Sequence, residues 1–154
     1  MTRAAAQPVL VSACLLGINC RYDGGSQLNQ RVVDYLSAHK LQAIPVCPEQ
    51  LAGLPTPRPK ARFTQNDGHS YLQQQAQLHD EFGRNVGPTF LHGAQETLEI
   101  ARFCGCNNAI MKERSPSCGC RQIYRNHELV AGTGLASALL QNAGVIVTSE
   151  EEIY

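Results

Sequence analysis

Four short apolar runs rich in β-branched residues constrain this chain more than any other feature. They are PVLVSA at 8–13, LQAIPVC at 41–47, NNAIMK at 107–112 and AGVIVTS at 143–149. An apolar run of that length, without polar alternation, reads as a strand buried on both faces. Between the first two lies SQLNQRVVDYLSAHK, which puts Leu28, Val32, Tyr35 and Leu36 on one helical face with Ser26 as the expected N-cap. Before the third, GPTFLHGAQETLEIARFCG aligns Phe90, Leu91, Ala94, Leu98 and Ala101 in one stripe and meets a stop at Gly105. GTGLASALLQNAG has the same form before the fourth run. Strands that alternate with helices pair in parallel through right-handed crossovers. The expected fold is α/β: a Rossmann-like three-layer sandwich with a small parallel sheet flanked by helices.

With 154 residues the chain fits one domain, expected to span 1–154, with a core large enough to do without disulfides. Two segments resist assignment. QNDGHSYLQQQAQLHDEFGR at 65–84 reads as a polar insertion or a surface helix, and LPTPRP at 54–59 as an ordered loop or a linker. Thirteen basic residues balance thirteen acidic ones, so no nucleic-acid or anionic-membrane partner is expected. The N-terminal apolar run is short, broken by Ser12 and preceded by a single arginine, unlike a secretion signal. No run approaches the roughly 18 apolar residues of a membrane span. A cytoplasmic protein acting on a small molecule is the expectation.

In that compartment seven cysteines read as metal ligands, reactive thiols or buried side chains rather than as disulfide partners. Cys14 directly follows the first strand, Cys47 ends the second, and Cys118 lies in the loop after the third. The strand ends of an open parallel sheet face one edge, where ligands bind. Each cysteine alone is as well explained by core packing. Three at one edge point to a site. The chain has no CxxC, which weighs against a redox dyad. Zinc stays open through the CxC pairs at 104–106 and 118–120. Three thiolates without an obvious fourth suit an iron–sulfur cluster that keeps one iron open. The histidines His39, His69, His79, His92 and His127 show no ligand spacing, and GTG at 132–134 is a weak anion-binding signal at a helix start.

Four segments carry a resemblance: VSACLLGINCRYDGG, PVCPEQLAGLPTPRP, KERSPSCG and GTGLASALLQNAGVIVTSEEE. In this order, from about Val9 to Glu152, they resemble the 2-thiouracil desulfurase family. The resemblance implies a 4Fe-4S cluster held by Cys14, Cys47 and Cys118, whose fourth iron takes the sulfur of a thiolated base. Cys20 in NCRYDG is a further candidate, whereas Cys104, Cys106 and Cys120 lie outside the shared motifs. Two departures bear on substrate range: Ala52 stands where the family loop has glycine, and PKARF follows where an acidic continuation is usual.

The same resemblance favours a catalytic role for Ser115, and its place two residues past Cys47 makes Glu49 a second catalytic candidate. Pro116 sets a turn that returns Ser115 toward the strand edge, although a serine there also satisfies loop backbone. Glu49, two residues past Cys47, suits proton transfer if partly buried, and is otherwise a solvated loop charge. Lys112, Arg114, Arg21, Tyr22 and Asp23 are candidates to position the ring, and Arg58 to line the entrance or anchor its loop. The reaction implied is non-redox desulfuration of a 2-thiouracil-like base to uracil and hydrosulfide, with water oriented by Glu49 and Ser115 attacking the carbon. Two alternatives stand beside it: a non-catalytic metal or sulfur carrier, and a sulfur-transfer enzyme acting on a modified RNA base.

Overall fold

The computed structural model describes residues 5–153. In chain order the strands are β1 Gln7–Ser12, β2 Leu41–Val46, β3 Ala61–Gln65, β4 Gln77–Asp80, β5 Asn108–Met111, β6 Gln122–Arg125, β7 Glu128–Ala131 and β8 Ile146–Ser149. The α-helices are α1 Gln30–Ala38, α2 Pro48–Leu51, α3 Gly68–Leu72, α4 Gly87–Cys104 and α5 Leu135–Asn142, with 3-10 turns at Ala13–Leu16 and Glu150–Glu152. No helix among the described residues is long and apolar enough to cross a membrane.

The four apolar runs form one parallel sheet in the order β2-β1-β5-β8. Its register runs from Gln7↔Leu41 to Ser12↔Val46, through Leu10↔Ala109 and Val11↔Ile110, to Asn108↔Ile146 and Met111↔Ser149. Successive side chains of a strand face opposite ways. Val9, Val11 and Ile110 accordingly pack with Val32 and Leu36 of α1, while Leu10, Ala109 and Met111 pack with Leu98, Ala101 and Leu140 of α4 and α5. Helices therefore cover both faces, as the uninterrupted apolar runs require, and the expected α/β sandwich is present.

A second, mixed sheet in the order β4-β3-β6-β7 was not expected. The residues at 65–84 are no insertion, for they contribute α3 and β4. Ala61, Phe63, Leu78 and Ile123 of this sheet pack on Phe90 and Ala94 of α4 and on Leu135 and Ala136 of α5. The apolar stripe of α4 thus serves two cores: its first half covers the second sheet and its second half the parallel one. At the start of α1 the cap is Asn29, whose side chain accepts from Val32 N at 3.2 Å, rather than Ser26. Leu28 precedes the helix and is exposed.

Gly93, inside α4, shows how the fold sets up the sheet edge. A β-carbon there would collide with the Pro48 carbonyl oxygen of α2. Glycine in a helix interior costs roughly 1 kcal/mol relative to alanine. Here that cost permits α2 to sit directly on α4, at the end of β2.

Candidate active site

The order of the parallel sheet reverses between β1 and β5, and the site opens beyond the carboxyl ends of these strands. Cys14 lies in the 3-10 turn after β1, Cys47 caps α2 after β2, and Cys118 lies in the loop after β5. All three line one cavity of about 270 Å³, together with Cys20, Glu49 and Ser115. Cys14, Cys20 and Cys118 are buried, and Cys47 is partly so. The cavity thus gathers these sequence candidates from three separate segments, and Cys20 joins them as a fourth thiol.

The thiols share one electrostatic environment. A hydrogen bond with Cys14, together with burial, raises Cys20 above the ordinary thiol range against the opposing pull of its bond to Cys47. Cys47 is raised strongly, first by its bond to Cys20 and then by burial. Burial pushes Cys118 up to about 12. Such thiols stay protonated near neutrality, which is unlike the thiolate of a redox dyad. A cationic metal centre displaces those protons and supplies the missing counter-charge. Among the described residues no three His, Cys, Asp or Glu groups converge closely enough to bind a single ion. A cluster takes each thiolate on a different iron, which suits sulfurs spread around a cavity.

Glu49 is held from two directions. Arg58 Nε donates to Oε1 at 2.9 Å, and Ser117 Oγ donates to Oε2 at 3.1 Å. Arg58 is 8% exposed despite its charge. Its guanidinium also donates to the Cys20 carbonyl at 2.8 Å, to Thr56 Oγ1 at 3.1 Å and, at 3.9 Å, to Cys47 Sγ. A buried arginine must satisfy its donors in this way. The LPTPRP segment is therefore an ordered loop and no linker, and its Arg58 forms part of the cavity wall.

The loop bearing Cys118 is fixed along its length. Ser115 Oγ accepts from Ser117 N at 3.1 Å and from Cys118 N at 3.0 Å. The start of α5 holds the other side: Leu135 N donates to Pro116 O at 2.8 Å, Ser137 N to Ser117 O at 3.1 Å, and Ser137 Oγ to Cys118 O at 2.7 Å. Gly134 makes this possible, because a β-carbon there would lie 2.6 Å from the Ser117 carbonyl carbon. The GTG helix start thus packs on the loop that bears Cys118. Glu113 completes the frame; it is 3% exposed and accepts from the backbone N–H groups of Cys120, Arg121 and Gln122 at 3.0, 2.9 and 3.0 Å.

The mouth is cationic and aromatic. Lys60 Nζ lies over the Tyr22 ring at 5.8 Å and the Tyr124 ring at 5.4 Å, within cation–π range. Nε of Arg21 and Nε of Arg62 are buried along this wall without a hydrogen-bond partner among the described residues. Lys112 and Arg114 also line the cavity, but they pair with Glu150 and Glu151. Asp23 does not line it; its side chain accepts from Gly25 N and closes the RYDGG turn. Sequence reasoning missed Lys60, Arg62, Tyr124 and Ser117. The first three come from around the second sheet, and Ser117 is hidden between two residues that the motif made conspicuous.

Cys104, Cys106 and Cys120 do not reach the cavity, and none of the five histidines lines it. Cys120 faces Glu113, with its Sγ 3.6 Å from Oε2.

Comparison with known proteins agrees with this geometry. The 2-thiouracil desulfurase family model matches residues 9–152. The uncharacterized protein YbbK of Bacillus subtilis (strain 168) is 36% identical over 148 residues, covering 94% of this chain and 97% of that protein. Among solved structures, the 4Fe-4S-dependent thiouracil desulfidase TudS (DUF523Vcz) superposes with a TM-score of 0.80 at 37% identity, covering 96% of this chain and 93% of that one. With a match that extends over nearly every described residue, the chain belongs to the 2-thiouracil desulfurase family.

Proposed function

We propose that this chain is a cytoplasmic, single-domain desulfidase that converts a 2-thiouracil-like base to uracil and hydrosulfide with a 4Fe-4S cluster. The observation that carries the reading is the gathering of Cys14, Cys47 and Cys118 with Glu49 and Ser115 on one cavity at the switch point of the sheet. The solved relative TudS, a 4Fe-4S-dependent thiouracil desulfidase, supports both the cofactor and the substrate class. Cys14, Cys47 and Cys118 would hold the cluster and leave one iron without a protein ligand. When bound, the cluster supplies a Lewis acid for the thiocarbonyl sulfur.

Replacing C=S by C=O consumes one water, releases hydrosulfide and a proton, and changes no net oxidation state. Glu49, partly buried and fixed at both oxygens, takes the proton from the attacking water. Ser115 Oγ already accepts two backbone N–H bonds, so its own proton is available to a substrate heteroatom. The unpartnered Nε donors of Arg21 and Arg62 suit a ring carbonyl oxygen, and the Tyr22 and Tyr124 rings suit a flat heterocycle. A sulfur or metal carrier uses the thiols alone and leaves the clamp on Glu49 without a purpose.

The test is anaerobic reconstitution with iron and sulfide, followed by hydrosulfide release from 2-thiouracil. Activity that requires all three thiols, Glu49 and Ser115 is the expected result. Full loading with no turnover of any thiolated base would overturn the desulfidase reading in favour of a carrier.

A further inference from the structure

Ser117 lies between the two residues that draw attention in SPSC, yet it is 2% exposed and takes no part in the cavity wall. Its backbone leaves little freedom: its N–H donates to Ser115 Oγ at 3.1 Å and its carbonyl accepts from Ser137 N at 3.1 Å. From this rigid turn the hydroxyl crosses to the segment after β2 and donates to Glu49 Oε2 at 3.1 Å. Arg58 holds Oε1 from the opposite side at 2.9 Å.

We propose that Ser117 is a positioning residue for Glu49, completing with Arg58 a two-sided clamp that fixes the carboxylate in the cavity. The inference rests on the proton-transfer role given to Glu49 above. A carboxylate bonded through one oxygen can swing about its terminal torsion, which is soft. Bonded through both oxygens, to groups on two different segments, it cannot. Ser117 touches neither the thiols nor the cavity space, so its effect on turnover passes through Glu49. It also joins the two segments that carry Cys47 and Cys118, so that Glu49 and Ser115 keep one mutual geometry.

The test compares Ser117→Ala, Ser117→Thr, Glu49→Gln and the double variant Ser117→Ala/Glu49→Gln. In cluster-loaded enzyme, Ser117→Ala should lower kcat for 2-thiouracil about 10- to 100-fold, the range for a group that orients an active-site residue. KM and the iron and sulfide content per chain should stay close to wild type, and Ser117→Thr should recover most of the rate. The double variant should be no slower than Glu49→Gln alone, the signature of two residues acting as a unit. A second readout does not depend on turnover: in thermal unfolding of cluster-free protein, the Ser117→Ala and Glu49→Gln losses should be less than additive. Wild-type kcat in loaded Ser117→Ala, or additive losses in the cluster-free cycle, would overturn the inference. The cluster-free cycle decides the matter where Ser117→Ala loads poorly. Wild-type turnover by Glu49→Gln would overturn the role of Glu49 itself, and is thereby distinguished from a failure of Ser117 alone.

Discussion

The two CxC pairs of this chain have the same spacing and flank the same strand, but they do different work. Cys104 and Cys106 precede β5; Cys118 and Cys120 follow it. Before β5 the pair ends a helix. Gly105 takes a left-handed φ of 72°, its N–H donates to Arg102 O, and Cys106 N donates to Ala101 O at 2.8 Å. Cys106 then packs in the core beside Ala101, the apolar contact that accompanies this type of helix stop. After β5 the chain emerges at the carboxyl edge of the sheet, and Cys118 enters the cavity while Cys120 turns away toward Glu113. The two ends of a parallel strand are not equivalent, and the end decides what a thiol can do.

The largest contrast should come from removing one thiol from each pair. Cys118→Ala is expected to lose cluster loading and turnover by more than the roughly 100-fold that a supporting residue typically costs. Cys106→Ala should load normally and lose only about 1 kcal/mol from a small core cavity. Iron and sulfide analysis with thermal unfolding reads both. Equal loss of loading in the two variants would break the comparison.

Glycines at the two ends give the next contrast. Gly134→Ala drives a β-carbon into the Ser117 backbone and should cost about 2–3 kcal/mol together with impaired loading. Gly105→Ala meets open space but keeps a left-handed φ, so the expected cost is about 1 kcal/mol with loading intact. Gly105→Asn should recover part of that loss.

Glu113 sharpens the account of the loop after β5. Burial alone would raise its pKa, but donation from Arg121, Gln122, Ser149 and Cys120 outweighs burial and holds it below the usual carboxylate range. Its stabilisation is therefore present above the unfolded-state pKa and is lost as pH falls through that value toward the lower folded one. Glu113→Gln should be about 1–2 kcal/mol less stable at neutral pH, and the gap should close below about pH 4. A constant gap in denaturant titrations from pH 7 to pH 3 would contradict the assignment. The smallest effect belongs to Cys120→Ala, with loading unchanged and stability altered by less than about 1 kcal/mol.

Much of this was legible in the chain. Strands buried on both faces announce themselves by continuous apolar runs, and all four runs became neighbours in the parallel sheet. The second sheet was harder to read, because its strands are four or five residues long and carry polar residues on one face. In ARFTQ, Ala61 and Phe63 are buried while Arg62 and Thr64 are only partly so, and that alternation was the available signal.

The sequence by itself determined the alternation of strands and helices, the family, and the three thiols at strand ends, because these are recorded in local periodicity and in short contiguous motifs. Only the tertiary structure decided that Cys20 joins those thiols, that LPTPRP folds inward on Arg58, and that Lys60, Arg62 and Tyr124 form the mouth. It alone revealed the bond between Ser117 and Glu49, which spans 68 positions of the chain. A contact at that separation leaves no periodicity behind. It exists because two strands end at the same edge, and a helix start and a buried guanidinium hold their loops together there.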